Sequence, residues 1–259
     1  ERTGYYWFHG LPGTGKTLLL YDMAMKLSVR QQVCLIHCGE AVDQWKVLHE
    51  RLRRVKYLAD SQITSDILSG ASAVLVDEAH LLSQEKLEYL LQYCGNRPVI
   101  FSSDYENMLS PEELDRAAVH ALEQISGIQS LRLTNRIRTN AEISSFIQNM
   151  MCLPERKKGR HFPHVTVMYA NDDREADVLL SDAQHQGYQV ILNEAEPAIC
   201  ADRLAMVLDQ RYFYDRQNYL RSDDRSVRRL FHQLNGAKEE LLLVVKQNEP
   251  LYAVLLDLL

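Results

Sequence analysis

Apolar residues along this chain fall into two alternating patterns. Tyr5-Tyr6-Trp7-Phe8-His9, Gln32-Val33-Cys34-Leu35-Ile36-His37, Ala73-Val74-Leu75-Val76 and Pro98-Val99-Ile100-Phe101 are short runs without polar interruption. Such runs are expected of strands covered on both faces, as in a parallel sheet. Between them, residues 16–26 carry Leu18, Leu19, Tyr21, Met23 and Ala24 at helical spacing, 42–55 is amphipathic, and a helix is expected to follow residue 77 and run through 91. Ser110 before Pro111 reads as an N-cap with proline at the first helical position, opening a helix to about Ile125. Strand and helix in strict alternation predict an α/β fold.

The pattern then starts again. Residues 130–133, 165–169, 188–192, 204–208 and 241–245 are strand-like, with helices expected over 141–151 and 174–186. Placing the boundary at Gly127-Ile128-Gln129 gives two domains, 1–128 and 129–259, of which only the first has a phosphate-binding loop.

That loop is Gly10-Leu11-Pro12-Gly13-Thr14-Gly15-Lys16-Thr17, which fits G-x-x-x-x-G-K-[ST] at every defined position. Gly10, Pro12, Gly13, Thr14 and Gly15 would form a turn whose backbone N–H groups point at phosphate, and the following helix presents its positive end to the same anion. Lys16 would reach the outer phosphates and take part in catalysis, and the Thr17 hydroxyl would ligate Mg²⁺. A strand before the loop and a helix after it supply the context that a chance glycine turn lacks.

The apolar run at 73–76 ends in Asp77-Glu78. Two acids there would lie at the carboxyl edge of the sheet, where open α/β folds bind ligands. Asp77 is the expected Mg²⁺ partner and Glu78 the residue that orients and deprotonates the attacking water. Taken alone the pair could be an acidic helix cap; the phosphate loop makes the catalytic reading the stronger one.

Composition adds limits. Of the 259 residues 46% are hydrophobic and 25% charged, as in a globular protein, and no stretch is apolar enough to span a membrane, so no membrane partner is expected. The net charge of −6 argues against coating nucleic acid by bulk electrostatics and leaves room for a local groove. Basic clusters at 51–56, 156–160 and 225–229 are candidates for it, or simply solvated faces. Five cysteines without C-x-x-C spacing read as reduced core thiols of an intracellular, cytoplasmic protein. Because the chain opens just before its first strand, it is expected to be part of a larger protein.

The phosphate loop, the Asp77-Glu78-Ala79-His80 box, Phe101-Ser102-Ser103-Asp104 and above all Leu133-Thr134-Asn135-Arg136-Ile137-Arg138-Thr139-Asn140-Ala141-Glu142-Ile143 resemble the superfamily 1 helicase-like ATPase domain related to the Schlafen helicase region. The likeness is strong to about Phe146 and weak after it. It implies two RecA-like P-loop NTPase domains with parallel sheets and ATP in the cleft between them. It also implies that Arg138 acts as a catalytic arginine toward the γ-phosphate, and that Asp104 and Asn107 lie in a γ-phosphate-sensing segment. Asn107 stands where glutamine is usual. Two later elements depart from the family: Ala198-Ile199-Cys200 replaces a Gly-x-Glu element, and Leu234-Asn235-Gly236-Ala237-Lys238 replaces a Leu-Thr-Arg-Ala-Arg run.

The expected function is therefore a nucleic-acid-associated ATPase using Mg²⁺, with hydrolysis driving domain closure. DNA or RNA and a flanking effector or nuclease domain are the implied partners, and a larger bacterial antiviral defence protein is the implied setting. The alternative is a degenerate helicase acting as an ATP-dependent switch or ATP-binding scaffold for an attached effector, without unwinding.

Overall fold

A computed structural model describes residues 4–10, 13–39, 52–104, 118–134, 140–155, 161–192, 199–223 and 227–259. The chain divides into two compact units, 1–135 and 136–259.

The first unit is built on strands β1 (Tyr5–Gly10), β2 (Val33–His37), β3 (Val55–Ala59), β4 (Ala73–Asp77), β5 (Val99–Ser103) and β6 (Gln129–Leu133). They form one sheet in the order β3-β2-β4-β5-β1-β6. Every pairing in it is parallel. β4 and β5 are buried at all five positions, which explains their unbroken apolar sequence. Helix α1 (Lys16–Ser28) covers one face, setting Leu20 and Ala24 against Val33, Leu35, Leu75 and Ile100. Helices α2 (Ser65–Gly70), α3 (Gln84–Cys94) and α4 (Ala118–Glu123) cover the other, where Leu68, Leu87, Leu90 and Leu122 meet Ile36, Val74, Val76 and Phe101.

Two expectations are corrected here. The amphipathic stretch expected to end at Val55 instead meets the start of β3, an edge strand with only Val55 and Leu58 buried; two buried positions are too few to show a period of two. Residues 40–51 of that stretch lie outside the described residues. The strand at 129–133, assigned from sequence to the second domain, completes the first sheet, with Gly10 opposite Leu133. The first unit accordingly runs to 135 rather than 128. β1 could accept this partner because Gly10 has no Cβ: one built there would overlap the Leu133 carbonyl oxygen.

The second unit carries α5 (Ala141–Met151), β7 (Val165–Ala170), α6 (Asp173–His185), β8 (Gln189–Ile191), β9 (Ala201–Leu208), β10 (Tyr212–Tyr214), β11 (Leu220–Ser222), α7 (Val227–Leu234), β12 (Ala237–Lys246) and α8 (Glu249–Leu258). Four strands form a sheet in the order β7-β12-β9-β8, again all parallel. β10 and β11 are an antiparallel hairpin. Asp215 closes its turn, accepting from the backbone N–H groups of Gln217 and Tyr219 and from the Arg221 guanidinium. Partial burial alone would raise the Asp215 carboxyl, yet these bonds prevail and hold it below its ordinary value. The hairpin and α8 had no counterpart in the sequence reading.

Four of the five cysteines are buried as expected, and Cys200 is exposed. No helix among the described residues is long and apolar enough to cross a membrane. Because Leu75 sits fully buried at the centre of the first sheet, Leu75→Ala is expected to cost about 2–5 kcal/mol in chemical denaturation.

Candidate functional site

Parallel pairing brings the carboxyl ends of β1, β5 and β4 side by side, and the sequence places polar residues at each end. After β1 the backbone of the phosphate loop takes positive φ at Gly13 and Gly15, 73° and 83°, and Gly15 is the N-cap of α1. Left-handed geometry at those points is cheap for glycine and costly for anything larger. Leu11 and Pro12 lie outside the described residues.

Lys16, at the start of α1, is 7% exposed and its Nζ donates to the Gly10 carbonyl at 2.8 Å. The same ammonium lies 3.3 Å from Asp104 Oδ2, just past the end of β5. Thr17 Oγ1 donates to Asp77 Oδ1 at 3.4 Å, and Ser102 Oγ donates to the same oxygen at 2.9 Å. Asp77 Oδ2 faces His37 Nδ1 at 3.7 Å, across the register that pairs His37 with Asp77. β5 is itself tied to β1 by Trp7 Nε1, which donates to Ser103 Oγ at 2.7 Å.

Glu78 follows directly, with φ 52° and ψ 40°, the left-handed region that a non-glycine residue enters only at a cost. The chain turns there into a single 3₁₀ turn, Ala79–Leu81, that buries His80. Glu78 Oε2 is 3.4 Å from His80 Nε2, and His80 Nδ1 accepts the backbone N–H of Asp104 at 3.2 Å.

Several neighbours register the negative potential of this edge. Burial pushes the Cys38 thiol well above its ordinary value, and Asp60, Asp77 and Glu78 add to that shift. Burial likewise raises the Tyr21 phenol, with Asp77 contributing. A hydroxyl beside a buried carboxylate, in such a potential, is a hard oxygen donor set suited to Mg²⁺. Among the described residues no group of three or more His, Cys, Asp or Glu side chains could hold a metal by itself.

The structure thus brings Lys16, Thr17, Asp77, Glu78 and Asp104 to one edge of the sheet, together with Thr14, which is buried in the loop. Asp104, expected to bind the nucleotide, is placed on the lysine instead, and a carboxylate repels phosphate. Arg138 and Asn107 lie outside the described residues. His37, Ser102 and His80 were not singled out for roles from sequence, although Ser102 and His80 stand inside motifs that were noticed.

The profile of the family described as "ATPase family associated with various cellular activities (AAA)" matches residues 6–119. That stretch contains the phosphate loop and strands β2 to β5 of the first sheet. No curated protein matches the chain. Among solved structures the chain is similar to Pif1 helicase from Bacteroides, described in complex with ADP-AlF3 and ssDNA, with 14% identity and a TM-score of 0.39. The similarity covers 72% of this chain and 54% of that one, so this chain spans about half the helicase's length.

Beside the loop, Trp7, His9, Glu123 and Arg132 help to line a cleft of about 500 Å³. His9 stacks on Trp7 with ring centroids 4.5 Å apart. Burial lowers the His9 imidazole below its ordinary value, and Arg132 and Lys16 lower it further against an opposing effect of Glu123. The unfolded chain therefore takes up this proton first as pH falls, so stability is fully present above the ordinary histidine value and is lost below it. Denaturation midpoints measured between about pH 7 and about pH 5 are expected to fall, and His9→Gln to flatten part of that slope.

Proposed function

We propose that the chain is a Mg²⁺-dependent ATPase associated with nucleic acid. The observation that carries the ATPase reading is the convergence of Lys16, Thr17, Asp77, Glu78 and Asp104 at one edge of the first sheet. In this reading Lys16 exchanges part of its hold on Gly10 and Asp104 for the outer phosphate oxygens. Thr17 and Asp77 would hold Mg²⁺, which would supply positive charge against the transferred phosphoryl group. Glu78 orients the attacking water and takes its proton. Arg138 keeps the γ-phosphate role that the motif likeness implies.

Two substitutions separate these roles. Lys16→Ala is expected to abolish ATP binding or hydrolysis, because it removes the loop's only mobile positive charge. Glu78→Gln is expected to keep ATP and Mg²⁺ while losing turnover by orders of magnitude, since it changes the base and leaves the cradle intact. Equilibrium nucleotide binding measured beside steady-state hydrolysis checks both, and equal loss of affinity in the two variants would refute the assignment.

The nucleic-acid association rests on the Schlafen-related superfamily 1 likeness around residues 133–143. With a net charge of −6 the basic surface must be local. Arg54, from the cluster at 51–56, is engaged with the Val29 carbonyl instead of standing free; residues 156–160 and 224–226 lie outside the described residues. Single-stranded DNA or RNA is expected to bind weakly, with affinity falling steeply as salt rises, because each phosphate contact releases counterions. Titration at two salt concentrations tests this, and binding that ignores salt would count against it.

A switch or scaffold without unwinding is the second reading, and one observation favours it. Gly236, aligned with a family arginine, has no space for a side chain: a Cβ there would overlap the Ile199 carbonyl oxygen. Lys238, aligned with the other arginine, pairs with Asp202 at 3.2 Å. A larger antiviral defence protein with an attached effector is the setting in which such a switch would work.

A further inference from the structure

We propose that the outward face of the β10–β11 hairpin is a contact for single-stranded nucleic acid, with Phe213 as the stacking platform for a base and Arg216 as a phosphate contact. The inference rests on the reading of the chain as nucleic-acid-associated and names the surface that would serve it.

The hairpin alternates with a period of two, as a ribbon with one packed face does. Tyr212 and Leu220 are buried, and the Tyr214 hydroxyl donates to the Met150 carbonyl at 2.8 Å. Phe213, between the two tyrosines, points the other way and pairs across the ribbon with Arg221. Its ring is 43% exposed. An exposed phenylalanine by itself needs no explanation, but this one stands among guanidinium groups. Residues 209–234 hold six arginines against four aspartates, in a chain whose net charge is −6. A local excess of positive charge on an acidic chain is what draws a phosphate backbone to one place.

The arginines are held differently. Arg211 pairs with Asp209, and Arg221 Nε donates to Asp215 at 2.7 Å, which lays these two groups along the hairpin. Arg216, exposed at the turn, is in no ion pair among the described residues. Helix α7 packs against β11, burying Leu230, Phe231 and Leu234 and exposing Arg229 and His232. An aromatic face beside cationic groups suits a single strand, whose bases are open to stacking whatever their sequence; a duplex hides those faces.

The platform is also preformed. Besides the Tyr214 bond to α5, the backbone N–H of Leu153 donates to the Asn218 carbonyl at 3.1 Å, and Asn248 Nδ2 donates to the Tyr212 carbonyl at 2.7 Å. A ribbon tied at its turn and at its base gives up little freedom when a ligand settles on it.

Anisotropy of a labelled single-stranded DNA and of its RNA counterpart, titrated with the full chain at two salt concentrations, tests the assignment. Affinity is expected to fall about tenfold in Phe213→Ala and as much in Phe213→Leu, which keeps an apolar side chain without a π face, and to hold in Phe213→Trp. Arg216→Ala is expected to lower the slope of log affinity against log salt by about 0.7. Hydrolysis of ATP without nucleic acid is expected to be unchanged in all four variants, which also checks their folding. Wild-type affinity in Phe213→Ala or Phe213→Leu would overturn the role of the hairpin and leave the nucleic-acid reading standing. Failure of the unmodified chain to bind either strand would sink that reading, and the hairpin contact with it. Should Phe213→Ala not fold, the comparison of Phe213→Leu with Phe213→Trp decides.

Discussion

Parallel pairing of β4, β5 and β1 is the constraint on which the rest of the first unit depends. Parallel strands must all end at the same edge, and each of these three ends in polar residues: Asp77 and Glu78 after β4, Ser102 to Asp104 at the end of β5, and the phosphate loop after β1. Antiparallel pairing would have sent one of these groups to the opposite edge. The sheet can be parallel because its central strands are covered on both faces, with α1 on one side and α2, α3 and α4 on the other. Hydrophobic burial below the edge is thus what holds a lysine and three carboxylates together above it.

Holding those charges together is costly unless each has a partner. The structure supplies them at the core of the site: Lys16 meets Gly10 and Asp104, and Asp77 accepts from Thr17 and Ser102. The partners come from different strands and loops, so the network also locks the strand ends to one another. Removing one partner leaves a buried charge exposed to the penalty, which is why the polar edge and the apolar core behave as one structure.

The two units use the same architecture to different ends. The second also has a parallel sheet, of four strands rather than six, but its polar groups mostly close turns and cap helices. Asp215 fastens the β10–β11 hairpin, Asn248 caps α8 and donates to the Asp209 and Tyr212 carbonyls, and Asp172 caps α6. Gly236 is held so tightly against Ile199 that it can carry no side chain.

The sequence by itself determined the alternation of strand and helix, the central strands, and the identity of the phosphate loop with its acidic partner. These are local properties: an unbroken apolar run, a glycine spacing and a pair of acids can be read without knowing what lies beside them. It misplaced β6 because a five-residue strand carries no mark of the sheet it will join, and that choice was made by the open edge of β1 and the missing Cβ of Gly10. It passed over β3 because an edge strand with two buried positions shows too little periodicity. The same limit applied at the site. Lys16 and Asp77 were legible in their motifs, but that Asp104 would meet the lysine, Ser102 the aspartate and His80 the glutamate is contact across strands distant in sequence. Only tertiary structure decides such contacts, because they depend on which strand ends the buried faces of the sheet bring into register.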